Sequence, residues 1–149
     1  MILDTSCLVK LFGGHPAAHE KARELHDKRE TQRVPAPVFA ELENGAEYEL
    51  EEDERRRIRN VSRMYSVTRL DEEMARRAGR LHAQADEEQG GNSGADAIDA
   101  MVAAVAETAG EKVITENVTD FGNSVSALSL SGRVHSQSTA SRSRRCTSG

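Results

Sequence analysis

Four of the 25 acidic residues in this 149-residue chain stand in surroundings that suggest chemistry rather than simple solvation: Asp4, Glu41, Asp99 and Asp120. Asp4 ends the apolar opening Met1-Ile2-Leu3 and precedes two hydroxyl residues, Thr5 and Ser6. Glu41 comes early in a helical pattern, on the side of Val38 and Gly45, which half covers it. Asp99 borders the stripe Ile98, Met101, Val102 and Val105, and its own column, Ala103 and Ala106, holds only small side chains. Nothing bulky there covers the carboxylate, so it can face a cleft, and an acid beside a core stripe calls for a partner such as a cation. Asp120 lies in the turn Thr115-Glu116-Asn117-Val118-Thr119-Asp120-Phe121, with Phe121 as its anchor to the core. Each acid has a plainer reading: Asp4 as a helix cap, Glu41 as a solvated helix acid, Asp120 as a turn cap. Asp96 is the reverse case. In the first turn of its helix, it reads first as a complement to the dipole and only second as a ligand.

Crowding separates these readings. Two carboxylates 5 Å apart repel by roughly 3 kcal/mol at an effective dielectric of 20. Three or four in one cleft stay ionised only if hard cations hold them together. Mg²⁺ or Mn²⁺ takes oxygen ligands, keeps several waters and can activate one of them toward a phosphodiester. Other chemistry finds less support. Glu43, Glu47, Glu49, Glu51 and Glu52 form a charge run typical of a solvated face, and the five histidines show no metal-ligand spacing with cysteine or with each other. Cys7 and Cys146 fall at opposite ends of the chain and indicate neither a disulfide nor a metal knuckle.

These residues need a scaffold that brings distant segments together. Met1 to Leu3 reads as a buried strand. Ser6 is expected to cap a helix through Cys7 to Phe12, ended by Gly13-Gly14. A helix is expected from Pro16 to about Glu30, then a strand end at Arg33-Val34-Pro35, since Pro35 cannot donate to a ladder. Further helices are expected from Val38 to about Glu52, with Pro37 starting it, and from Asp53 to Met64. Tyr65 to Leu70 alternates like a strand, and Asp71 caps a helix running to about Glu88. Gly90 to Gly94 is a loop leading into the helix opened by Asp96, which Gly110 ends before a strand over Lys112 to Thr115. Strands separated by helices, with no hairpin signal, predict an α/β fold: a short parallel sheet with helices on both faces. Ligands gather at the carboxyl ends of such strands. Asp4 follows the first strand, and Asn117 and Asp120 follow the fourth.

Composition agrees with one acidic domain. All 25 acids lie at or before Asp120; residues 1–132 hold 16 basic residues, a formal charge of −9, whereas four arginines lie in the tail. A body this acidic is no general nucleic-acid binder, and a phosphate substrate would need metal ions to neutralise the site. Four lysines against 16 arginines, many acids and a mean hydropathy of −0.62 suggest adaptation to a salty cytosol. The apolar opening is broken by Asp4 and Lys10 and is too short to span a bilayer, so a cytoplasmic protein is expected. Nine of the last 27 residues are serine. A domain over residues 1–122 is therefore expected, with a Ser/Arg-rich tail over 123–149 that is disordered or divergent apart from an edge strand within Val125 to Leu130.

Four segments together resemble a known family. Met1-Ile-Leu-Asp4-Thr-Ser, Pro37-Val-Phe-Ala-Glu41-Leu-Glu-Asn-Gly45, Asp99-Ala-Met-Val-Ala-Ala104 and Thr115-Glu-Asn117-Val-Thr-Asp120-Phe121 are similar, in order and spacing, to the motifs of PIN-domain nucleases, above all the VapC-type toxins of type II toxin–antitoxin pairs. The resemblance spans about residues 1–122. It implies a three-layer α/β/α domain and a Mg²⁺- or Mn²⁺-dependent endoribonuclease that acts on RNA, forms a homodimer and is inhibited by a small antitoxin. It also implies that Asp4, Glu41 and Asp99 are the acidic metal-site residues, that Asn117 or Asp120 fills the fourth corner, and that Thr115 or Thr5 orients the attacking water. The pattern departs from the family after Gly122, where the final strand belongs.

Two other readings compete. A catalytically inactive PIN relic would act only by binding its antitoxin. A phosphatase of the haloacid-dehalogenase type would need a second aspartate where Ser6 stands.

Overall fold

A computed structural model describes residues 1–49, 52–88, 90–91, 96–117 and 127–129. Five short strands, β1 (Ile2–Leu3), β2 (Arg33–Pro35), β3 (Ser66–Thr68), β4 (Val113–Thr115) and β5 (Ala127–Ser129), form one sheet in the order β3-β2-β1-β4-β5, parallel throughout. Between them run α1 (Thr5–Phe12), α2 (Pro16–Asp27), α3 (Ala36–Glu49), α4 (Glu52–Met64), α5 (Glu72–Glu88) and α6 (Ala97–Ala109). The result is a three-layer α/β/α fold. From β1 the chain builds outward to β2 and β3, then returns to place β4 on the other side of β1. The order reverses between β1 and β4, and a sheet of this kind opens a crevice at that point.

The elements follow the sequence closely. Pro35 ends β2 opposite Thr68 and costs the ladder little. Asp71 caps α5 by accepting from the Met74 amide at 2.8 Å. Gly110 closes α6 at φ 63°, a left-handed conformation that glycine adopts without a Cβ penalty. β5 falls within the expected edge strand and pairs Ala127 with Val113 and Leu128 with Ile114, so the sheet takes in residues beyond Gly122. The rest of the 123–149 tail, and residues 92–94 of the glycine loop, lie outside the described residues.

Two local readings change, and the α6 pattern gains a packing detail. Helix α1 begins at Thr5 with Asp4 at its N-cap position, so Ser6 lies inside the helix and its hydroxyl bonds elsewhere. Helix α2 stops at Asp27, because Lys28 caps it and Arg29 turns left-handed at φ 55°. On α6, Ala103 and Ala106 are buried beside Val102 and Val105. The alanine column is therefore part of the core. Its small side chains let neighbours, α5 foremost, approach closely.

The core sits on both faces of the central strands: Ile2, Leu3, Leu8, Val34, Val38, Val102, Val105, Val113 and Ile114 are all buried. At the opposite end of the sheet from the crevice, Glu111 accepts from the Arg33 Nε at 2.8 Å and from the Met1 ammonium. Burial pushes the Glu111 carboxyl up, but the ammonium and Arg33 outweigh it and hold it below the usual carboxylate range. A depressed folded-state pKa stabilises the protein above the unfolded value and stops doing so as pH falls through the folded one. Glu111→Gln should therefore cost up to about 1 kcal/mol at neutral pH. In urea melts from pH 7 to pH 2 the gap from the parent should close as pH falls; a gap constant over that range would contradict the assignment.

Gly79 lies inside α5, and a Cβ built on it meets nothing within 4 Å. Gly79→Ala should raise stability by about 0.5–1 kcal/mol through the lower entropy of the unfolded chain. A lower melting temperature would show that α5 needs the glycine for close packing.

Candidate metal-dependent active site

Asp4 leaves the carboxyl end of β1 directly beside the end of β4: its amide bonds the Ile114 carbonyl at 3.1 Å, and its side chain is only 3% exposed. It stands at the N-cap of α1 yet makes no side-chain cap hydrogen bond. Its carboxylate is taken up instead by hydroxyls. Thr115 Oγ1 and Ser6 Oγ donate to Asp4 Oδ2 at 2.9 and 3.0 Å, and the two hydroxyl oxygens lie 3.1 Å apart. Each hydroxyl in turn accepts from a backbone amide of the turn after β4, Ser6 from Glu116 and Thr115 from Asn117, both at 3.0 Å. This relay fixes Oδ2 and the plane of the carboxylate. Oδ1 is also buried and has no hydrogen-bond partner among the described residues, a state that costs about 1–3 kcal/mol or more for a charged group.

Glu41 reaches the same end of the sheet from the second turn of α3, which starts directly after β2. Thr5 Oγ1, in the first turn of α1, donates to Glu41 Oε2. The Glu41 carboxyl is raised above its ordinary range, first by partial burial and then by the nearby charges of Asp96 and Asp4, although the Thr5 bond opposes the rise. Asp4 and Glu41, both singled out in the sequence, thus lie near each other, and Asp96 lies near Glu41 as well. Asp96 does cap α6: Oδ1 accepts from the Ile98 and Asp99 amides at 2.8 and 2.9 Å, and Asp99 Oδ2 returns a bond from the Asp96 amide at 3.1 Å. It also stands close enough to Glu41 to raise that group's proton affinity. Asp99, half-buried, joins the acidic group through this capping box.

At this end of the sheet Asp4 and Asp96 therefore both act on Glu41, and Asp99 is tied to Asp96 by the capping box. Among the described residues, no three histidine, cysteine or acidic side chains close into a ready-made metal cluster. Asp120 and Phe121 lie outside the described residues. Asn117 is exposed, and its described contact is through the backbone amide. Ser6 is the residue that sequence reasoning assigned wrongly. Its signal was present, a hydroxyl two residues after the acid, but a cap and a carboxylate clamp look alike in sequence. Cys7 is no nucleophile, since burial and the charges of Asp4 and Glu116 push its thiol up to about 12.

An all-oxygen set fits a hard divalent cation. Asp4 offers an oxygen with no partner among the described residues, and Glu41 is a carboxylate whose crowding a cation would relieve. Among the described residues, no helix is long and apolar enough to cross a membrane.

In overall shape the chain is similar to three solved complexes. VapBC2 from Rickettsia felis bound to a promoter DNA fragment superposes with a TM-score of 0.65 at 19% identity, covering 86% of this chain and 96% of that one. DNA-bound VapBC from Salmonella typhimurium gives 0.67 at 19%, with coverage of 87% and 96%. A toxin–antitoxin complex from Klebsiella pneumoniae gives 0.66 at 19%, again covering 87% and 96%. At such identity the likeness shows the fold. No curated protein matches the sequence significantly. The PIN domain family does match, over residues 1–121. With that match joined to the fold and to the acids at the β1–β4 crevice, the chain belongs to the PIN domain family.

Proposed function

We propose that the protein is a Mg²⁺- or Mn²⁺-dependent endoribonuclease, the toxin of a type II toxin–antitoxin pair, which acts in the cytoplasm as a homodimer and is held in check by a small antitoxin. One observation carries the nuclease reading: among the described residues Asp4 Oδ1 is buried without a hydrogen-bond partner, near Glu41, whose proton affinity burial and then its acidic neighbours raise. A buried anion left half-satisfied beside further carboxylates makes sense as a cation site and little sense as a structural cap. The three similar structures, each a toxin–antitoxin or VapBC complex, support the antitoxin partner.

Asp4 and Glu41 would hold the ion, with Asp99 and, from the turn after β4, Asp120 or Asn117 completing the set. When bound, the ion neutralises the phosphodiester and makes water a better nucleophile. The chain's own groups do the positioning. Ser6 and Thr115 lock one oxygen of Asp4 and leave the other open. Thr5 sets the Glu41 rotamer, and Glu41 is poised to orient the attacking water and accept its proton. Because Asp99 also supports the α6 cap, its replacement by asparagine keeps most of that geometry while removing the charge.

Incubating RNA and Mn²⁺ with the protein and with Asp99→Asn tests the reading. Cleavage by the parent and at least a tenfold loss in the variant are expected; equal cleavage by both would remove the assignment. Absence of cleavage by a folded parent that still binds an antitoxin would instead favour the inactive relic, a reading consistent with the lack of a closed three-ligand cluster among the described residues.

A further inference from the structure

The Glu41 carboxyl meets that of Asp96 within hydrogen-bonding reach, and the charge of Asp4 acts on it from the end of β1. Among the described residues, no lysine or arginine pairs with Asp4, Glu41 or Asp96. Elsewhere the arginines are matched to acids: Arg33 to Glu111, Arg55 to Glu47, Arg59 to Glu52 and Arg77 to Glu107. Asp4 gives a second sign of a missing positive charge, since its Oδ1 is buried and has no hydrogen-bond partner among the described residues. Capping alone does not account for a carboxylate at position 96. Only Oδ1 serves the cap, accepting from the Ile98 and Asp99 amides. Asparagine or serine caps a helix about as well as aspartate and adds no charge. The dipole of α6 already has Asp99 in its first turn. Next to Glu41, a neutral cap would be the less repulsive choice.

We propose that Asp96 is a further ligand of the divalent cation: one carboxylate oxygen caps α6, and the other joins Glu41 in holding the ion. The inference rests on the metal-dependent ribonuclease reading and adds a residue to its site. Mg²⁺ keeps several waters and is commonly held by one or two carboxylates. A pair with Asp4 nearby is therefore enough, although no three such side chains close into a cluster among the described residues. Asp96 is exposed, so an ion can reach it from solvent. The cap also suits the task. Two amide bonds fix the Asp96 rotamer before the ion arrives, so little side-chain freedom is lost on binding. The reciprocal bond from the Asp96 amide to Asp99 Oδ2, at 3.1 Å, ties the position of Asp99 to the same residue. Without a cation the charges of Glu41 and Asp96 oppose folding; with one, both are drawn to a shared centre.

Thermal melts and Mn²⁺ calorimetry on the parent, Asp96→Asn and Asp96→Ser test this apart from catalysis, since both replacements keep a capping oxygen. In EDTA the variants should melt at or slightly above the parent, because the repulsion with Glu41 is gone. In saturating Mn²⁺ the order should reverse, and the variants should bind Mn²⁺ about tenfold more weakly. Combining Asp96→Asn with Glu41→Gln should cost less affinity than the product of the two single losses, as expected of residues that share one ion. A capping role alone predicts equal Mn²⁺ affinities and the same difference in melting temperature with and without the metal. That result, or no Mn²⁺ binding by the parent, overturns the inference. RNA cleavage by the parent alongside equal Mn²⁺ affinities would remove Asp96 from the site and leave the nuclease reading standing. Weaker Mn²⁺ binding by Asp96→Asn, with no RNA cleavage by the folded parent, would keep Asp96 as a ligand and remove the ribonuclease reading.

Discussion

Asp4→Asn should reduce RNA cleavage by about 100- to 1,000-fold, the several kcal/mol that cation-assisted charge stabilisation supplies, while leaving the melting temperature almost unchanged. The two effects separate because of how the carboxylate is held. An asparagine can place its amide oxygen where Oδ2 stands and keep accepting from Thr115 Oγ1 and Ser6 Oγ. Its NH₂ then replaces Oδ1, the atom that has no partner among the described residues, so no existing hydrogen bond is lost. The substitution also removes one of the charges that raise Glu41, which relieves repulsion in the folded state. A structural role for Asp4 predicts the opposite pairing: a lower melting temperature and no specific loss of activity. Steady-state cleavage kinetics and a thermal melt on one preparation decide between them.

Ile114→Ala should cost about 2–5 kcal/mol, a large share of the roughly 5–15 kcal/mol that holds a domain together. Ile114 is fully buried in β4, between Leu3 of β1 and Leu128 of β5. Below it Cys7, Leu11, Ala18 and Leu25 from α1 and α2 close over a space with no room for water. Deleting the side chain therefore leaves a dry cavity in a core that holds few large residues. Activity should fall as well, because Thr115 follows directly and its hydroxyl holds Asp4. Urea denaturation reads the loss. A cost under about 1 kcal/mol would mean that the sheet closes around the gap, which the tight packing of α1 and α2 against it argues against.

How much of this was visible in the sequence depends on whether a signal was local. The strands and helices were, because apolar periodicity, Asp71, Gly110 and the prolines act within a few residues. Asp4 could be picked out from 25 acids because it ends a buried strand, and Glu41 because half its helix face is apolar. The strand order was not legible, since nothing in a three-residue strand states its neighbour. Contacts between segments were hidden for the same reason. Ser6 meets Thr115 across 109 positions, and Asp96 meets Glu41 from another helix. The alanines of α6 were read as leaving Asp99 uncovered; that they are themselves buried had no local signal.

Burial of Asp4 and its closeness to Glu41 also predict how the protein meets a metal ion. Glu41 holds its proton more tightly than an ordinary glutamate, first because of burial and then because of Asp96 and Asp4, so a cation that binds there competes with that proton. The most direct measurement is calorimetric titration of the protein with Mn²⁺ in two buffers of different ionisation enthalpy, repeated with Asp4→Asn. Saturable binding by the parent, with a buffer-dependent heat that reports proton release and that is lost in the variant, is the predicted result. Indistinguishable isotherms for the two proteins would contradict the claim that these acids were brought together to share a cation.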